Sequence, residues 1–211
     1  MKSIKGEGIA NCPNGCEPFE AEFWTLIRAD HDAELKEALL GGELNLISCP
    51  HCGEFFYHDR NIIYFDPSTE LLAFVAPRAE KEDFTKIKEQ MKKDFNLLKT
   101  NLTSLSINYD PFYLAGLEEL KLMLEYEENV VLQSEVLAAQ SAQRGFKLAR
   151  LKPAAARLKG YPFYLPVDGE DFNKNNVLAA ASALTAANPA LTLLTAFIKD
   201  IKGGKELPEK I

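Results

Sequence analysis

Hydrophobic and polar positions change period repeatedly along the chain. Phe19 to Arg28 alternates and is rich in aromatic and β-branched residues, which predicts a strand. Asp30 is placed to cap a helix over about His31 to Leu40, with Leu35 and Leu39 on one face and Gly41-Gly42 as the stop. Leu44 to Ser48 then predicts a short strand. Phe55-Phe56-Tyr57, Asn61 to Phe65 and Leu71 to Ala76 predict three more, separated by the turns His58-Asp59-Arg60-Asn61 and Asp66-Pro67-Ser68-Thr69.

Pro77 marks the exit from this β-rich stretch. From Ala79 to about Lys99 the apolar residues Phe84, Ile87, Met91, Phe95, Leu98 and Leu102 recur every three or four positions, the period of an amphipathic helix. Asp110-Pro111 predicts the start of a second helix with Leu114, Leu117, Leu120 and Leu124 on its apolar face. Asn129 to Ala142 predicts a third. Tyr161-Pro162-Phe163-Tyr164-Leu165-Pro166 is an extended stretch whose prolines exclude a central strand.

Val177 to Ile198 carries no charge and is long enough to span a bilayer. Asn188-Pro189 divides it, with Asn188 placed as an N-cap and Pro189 at the first helical position. Two helices outside a membrane are expected, about Asn175–Ala187 and Pro189–Lys202, closed by Gly203-Gly204. Their small-residue faces allow close packing, including between subunits of a homo-oligomer.

Charge alters the picture at two places. Residues 1–77 hold 5 Lys and Arg against 13 Asp and Glu, a net of −8 within a chain whose total is −7. Nucleic-acid binding rests on neutralising phosphates, so this segment has the wrong sign for it. Arg144 to Lys159 is the one basic run, with Arg144, Lys147, Arg150, Lys152, Arg157 and Lys159 and no acid. It suits the protein's own acidic half or an acidic partner, with nucleic acid as the rival.

The chemistry lies in four cysteines. Cys12-Pro13-Asn14-Gly15-Cys16 and Cys49-Pro50-His51-Cys52-Gly53 hold them all, as two close pairs separated by thirty-two residues. Zinc takes four thiolates at tetrahedral corners, and a short Cys turn supplies two from one loop. Pro50 fixes φ after the first thiolate, and Gly53 permits the positive φ of the exit. The first knuckle has three intervening residues, with Gly15 absorbing the extra one. The metal ligands are thus expected to be Cys12, Cys16, Cys49 and Cys52, with structural Zn²⁺ as cofactor. The rival is a thiol redox protein using Cys49 and Cys52, since Cys-Pro-His-Cys also serves in disulfide oxidoreductases. That chemistry places the first cysteine at a helix N-terminus, whereas Phe55-Phe56-Tyr57 favours a strand after Cys52.

Other chemical candidates are weaker. His51 is expected to face solvent, as four cysteines fill the shell, and His31 to sit solvated in a helix's first turn. His58 and Asp59 could form an acid–base pair, but neighbours in a turn more often point apart. Glu118, Glu119, Glu125, Glu127 and Glu128 form an acidic cluster best read as a solvated helix face. There is no Walker-type glycine loop, Gly-x-Ser-x-Gly elbow or His-Glu-x-x-His helix.

The two knuckles, the segment Leu39-Leu40-Gly41-Gly42-Glu43-Leu44-Asn45 before the second, and Ile63-Tyr64-Phe65-Asp66 after it resemble the CpXC domain family over about residues 9 to 130. The resemblance strengthens the zinc and fold expectations and supplies no biochemical role.

The expected architecture is α+β: a small zinc-pinned antiparallel sheet, zinc-ribbon-like, over 1–77, amphipathic helices packed on it over 78–142, and a basic segment plus helical hairpin over 143–211. The leading function is a non-catalytic, zinc-stabilised module that binds another protein. The N-terminus leads into no apolar signal-like run, and thiolates in metal-ligand spacing fit a reducing interior, so cytoplasmic location is expected.

Overall fold

The computed structural model describes residues 2–78, 81–101 and 107–211. They fold as two compact units, Met1–Leu124 and Glu125–Ile211. The fold is α+β.

The first unit is built on a five-stranded sheet of order β1-β2-β5-β6-β7, with β1 Ile4–Ala10, β2 Phe19–Arg28, β5 Ile62–Asp66, β6 Leu71–Ala76 and β7 Phe112–Ala115. A separate antiparallel pair joins β3 Leu46–Ser48 to β4 Phe55–Tyr57. The antiparallel expectation holds for β1–β2, β3–β4 and β5–β6, but the five-stranded sheet is mixed, because β2–β5 and β6–β7 are parallel. Parallel neighbours need a long crossover. The α1 helix (Ala33–Leu40) and the β3–β4 hairpin lie between β2 and β5, and α2 (Lys81–Asn101) lies between β6 and β7.

β6 explains the layering. All six of its residues are buried, as expected of a strand covered on both faces. Leu71, Ala73 and Val75 join Ile27, Ile62 and Tyr64 of the sheet, Leu39 of α1, and Leu120 and Leu124 of α3 (Leu117–Gln143). Leu72, Phe74 and Ala76 meet Met91 and Phe95 of α2, with Phe84 and Ile87 at the margin. The period-3.6 face of α2 thus lands where its sequence implies. Ala79 and Leu102, the outer limits of that expected helix, fall outside the described residues.

Several boundaries differ from expectation, each for a physical reason. β1 was not foreseen, since Gly6 and Gly8 weaken strand propensity. It forms because β2 pairs with it throughout, and Gly8 leaves room for Arg60, whose guanidinium would lie 2.3 Å from any Cβ there. Asp30 does not cap α1. It accepts both arms of the Arg28 guanidinium at 2.7 Å, and the N-cap position falls to Asp32, whose carboxylate instead accepts the Ser3 amide at 3.0 Å. Gly42 adopts φ +74° and lets the Glu43 amide bond back to the Ala38 carbonyl at 2.7 Å, ending the helix.

Arg28 and Asp30 are both mostly shielded, with side-chain exposures of 8% and 21%. Hydrogen bonding to Arg28 holds the Asp30 carboxyl below its ordinary value. Its stabilisation is therefore present above the unfolded carboxylate pKa, about 3.9, and lost as pH falls through the lower folded value. Asp30→Asn is expected to remove about 1.5–3 kcal/mol at pH 7 and to flatten the acid limb of a urea-stability profile.

The expected helix at Asp110-Pro111 is a strand instead. Phe112–Ala115 pairs with Ala73–Ala76, Gly116 turns the chain at φ +91°, and α3 begins at Leu117. The expected second and third helices are one continuous helix of 27 residues.

The second unit packs the rest of α3 with β8 (Lys147–Arg150), α4 (Pro153–Lys159), β9 (Tyr164–Val167), α5 (Lys174–Ala187) and α6 (Thr192–Lys202). Leu137, Tyr161, Leu165, Val177, Leu184 and Phe197 are central to its core. Pro166 sits opposite Leu148 in a two-stranded pair, where it displaces no central ladder. The uncharged run does divide into α5 and α6, but Asn188 closes α5 rather than opening α6. Its carboxamide accepts the Ala190 amide, and α6 starts at Thr192. The free N-terminus of α6 is satisfied from another helix: Gln133 accepts the Leu193 amide at 3.0 Å and donates to Thr192 Oγ1 at 2.9 Å. The residues of α5 that are buried are Val177, Ala180, Ala181 and Leu184. Among the described residues no helix is long and apolar enough to cross a membrane.

Candidate metal centre

Both knuckles are tips of antiparallel hairpins. Cys12 and Cys16 lie between β1 and β2, and Cys49 and Cys52 between β3 and β4. Two short-range features fix each tip. The Gly15 amide donates to the Cys12 carbonyl at 3.0 Å, and the Gly53 amide to the Cys49 carbonyl at 2.9 Å. Both glycines have φ +74° with open space where a Cβ would stand, so backbone conformation alone selects glycine. The wider first knuckle closes with Gly15 before its second cysteine.

The second hairpin is carried to the first by Asn45, a buried residue at φ 58°. Its carboxamide accepts the Trp24 amide at 2.8 Å and donates to the Trp24 carbonyl at 3.1 Å, as a neighbouring strand would. Phe19 completes the join, meeting His51 and Phe56 edge-on at centroid distances of 6.5 and 6.3 Å.

The four Sγ atoms come together within 4.8 Å of one another, with Cys12 and Cys52 3.6 Å apart. Zn–S bonds of about 2.3 Å at tetrahedral angles place sulfurs about 3.8 Å apart, so the cluster is compatible with a structural metal site. Cys12 and Cys49 are buried, Cys16 is half-buried and Cys52 is exposed.

The thiols are electrostatically unequal. The Glu54 amide donates to Cys52 and lowers its pKa to about 7, helped by hydrogen bonds from Cys12, Cys16 and Asn14. Hydrogen bonding to Cys52, together with burial, pushes Cys16 up to about 12, and burial raises Cys12. Asn14, whose Nδ2 lies 3.7 Å from Cys52 Sγ, had no signal in the spacing pattern.

The other candidates are placed away from this centre or tied into the fold. His51 is exposed and ring-packed on Phe19. His31 is half exposed, 3.8 Å from Asp30. His58 stacks on Phe23 at 4.1 Å and its Nε2 accepts Arg60 Nε at 2.6 Å, while Asp59 accepts the Arg78 amide at 3.1 Å. The two thus point to different partners. Burial and the Arg60 charge lower the His58 pKa.

The acidic helix cluster is not uniformly solvated. Glu119 accepts the Ala115 amide at the start of α3, and Glu127 is buried against Arg157. The basic run is spread over β8, α4 and their flanks rather than forming one face. Lys147 pairs with Glu170, Lys152 with Glu209, Arg157 with Glu127, and Arg144 donates to the Ala183 carbonyl. These acids lie in the second unit, not in the acidic residues 1–77.

Residues 10–129 match the CpXC protein family, so the chain belongs to that family. The match spans both knuckles, strands β2 to β7 and the first half of α3, and takes in only the last residue of β1. No curated protein and no solved structure matches the chain.

Proposed function

We propose that the chain is a non-catalytic module in which Cys12, Cys16, Cys49 and Cys52 bind one structural Zn²⁺, and that the surface so stabilised binds another protein. The observation that carries this is the convergence of four thiols from two distant hairpin tips at zinc-compatible spacing. Four sulfurs close a tetrahedral shell and leave no position for substrate, the pattern of structural rather than catalytic zinc. The protein-binding part is supported by the β3–β4 hairpin, where Phe55 and Tyr57 are 66% and 59% exposed on the same face as Leu46.

The redox reading loses its main support. Cys49 sits between two strands, not at a helix N-terminus, and is buried. For nucleic acid, the net of −8 on residues 1–77 opposes a polyanion, and most of the basic run already has partners inside its own unit. Four thiols in metal-ligand arrangement fit a reducing compartment, which supports a cytoplasmic location.

Metal analysis of protein expressed with ample zinc under reducing conditions is expected to find one zinc per chain. Protein without zinc under those conditions defeats the proposal. Cysteine ligands must lose their protons to bind zinc, so zinc binding should release protons into a weak buffer and tighten as pH rises.

A further inference from the structure

Beside the β3–β4 hairpin, wholly within the first unit, lies a cleft of about 450 Å³. Its apolar part is Leu39 and Leu44, both buried, with Leu117 at the start of α3. Tyr57 forms one wall. Its hydroxyl donates to the Gly42 carbonyl, which holds the ring upright while most of it stays exposed. The exposed hairpin face of Leu46, Phe55 and Tyr57 is therefore continuous with the cleft through Tyr57.

The charges around the cleft are three carboxylates, Asp59, Glu118 and Glu119, and two cations, Arg78 and Lys121. Asp59 and Glu119 each use one oxygen on a backbone amide, of Arg78 and Ala115. All three carboxylate residues line the cleft and are exposed. The first unit as a whole carries the −8 of residues 1–77, since residues 78–124 hold 8 cations and 8 acids.

We propose that this cleft and the adjoining hairpin face dock an extended segment of another protein bearing a Lys or Arg side chain flanked by apolar residues. The aliphatic stem of that side chain lies along Leu44 and Leu117, and its charged head reaches Asp59 and Glu118, as long basic side chains do at apolar surfaces edged with acid. Neighbouring apolar residues of the segment cover Phe55 and Leu46. The acidic field of the unit steers such a segment and repels acidic ones. This rests on the protein-binding reading above and names the surface and the partner's chemistry.

The test is a selection of random twelve-residue displayed peptides on the full zinc-loaded chain. Each selected peptide is then measured against the wild type and against Glu118→Lys and Phe55→Ser, both at exposed positions. The expected result is enrichment of Lys or Arg next to apolar residues, binding weakened by salt, and about tenfold or greater loss in each variant. Backbone NMR shifts on Gly42, Tyr57 and Leu117 locate the site independently of the variants. Acid-rich selected peptides, which would seat on Arg78 and Lys121, overturn the proposal. Basic peptides whose shifts and variant effects lie elsewhere on the chain also overturn it, while leaving the protein-binding reading standing. Failure to select any peptide counts against both.

Discussion

Cys49→Ser, or a strong chelator on the wild type, is expected to melt one part of the first unit and spare the rest. Metal affinity becomes folding free energy when the site is absent from the unfolded chain, and for structural zinc in small peptides this is about 10–16 kcal/mol at neutral pH. That matches or exceeds the whole stability of an ordinary domain, about 5–15 kcal/mol. The loss should fall on β1, the first half of β2, β3 and β4, because these hairpins have few core contacts near their tips. Phe55 and Tyr57 are exposed, and β1 is exposed at Ile4 and Ile9. β5 and β6 are held by the apolar layers on both faces and need no metal. The second unit has its own core. Acid should act like the chelator, since thiolates must stay deprotonated to hold zinc. Zinc content and urea denaturation of wild type and variant, read by far-UV circular dichroism, check this. A single cooperative transition unchanged by metal removal would refute it.

Glu127→Gln is expected to destabilise the second unit by about 3–5 kcal/mol, because it leaves the Arg157 guanidinium without its carboxylate in a site where both side chains are 5% exposed. The two carboxylate oxygens of Glu127 accept from Nε and Nη2 of Arg157, and the guanidinium also lies 6.0 Å from the Phe163 ring centre. A buried pair is costly to break but not always costly to replace. The double change Glu127→Met with Arg157→Leu should therefore recover most of the loss. Urea denaturation of the single and double variants gives the comparison. A single variant within about 0.5 kcal/mol of wild type would show that water reaches the pair.

The site was more legible in the sequence than the fold around it. Cysteine spacing names a four-thiol cluster because ligand geometry is local: two sulfurs per turn, a glycine for the positive φ, and one long loop between. Propensity also finds most strands and the face of α2. It misses β1, because pairing with β2 outweighs two glycines. It turns β7 into helix, because Leu114 fits the period of Leu117, Leu120 and Leu124, while the strand is selected by its parallel partner β6. Asn188-Pro189 carries a helix-start signal, yet Gln133 supplies the cap from 60 residues away and moves the start to Thr192. Glu127 reads as solvated in an acidic row, and only the arrival of Arg157 across 30 residues buries it. The cleft has no sequence signature at all, since its walls come from α1, β4, the loop before β5 and the start of α3.

Hydrogen exchange on the metal-free and zinc-loaded protein tests the central claim most directly. Zinc should raise protection across Ile4–Ala10, Phe19–Trp24, Leu46–Ser48 and Phe55–Tyr57, with β6 and the second unit protected alike in both forms. Equal protection of the two knuckle hairpins with and without zinc would contradict a structural role for the four-cysteine centre.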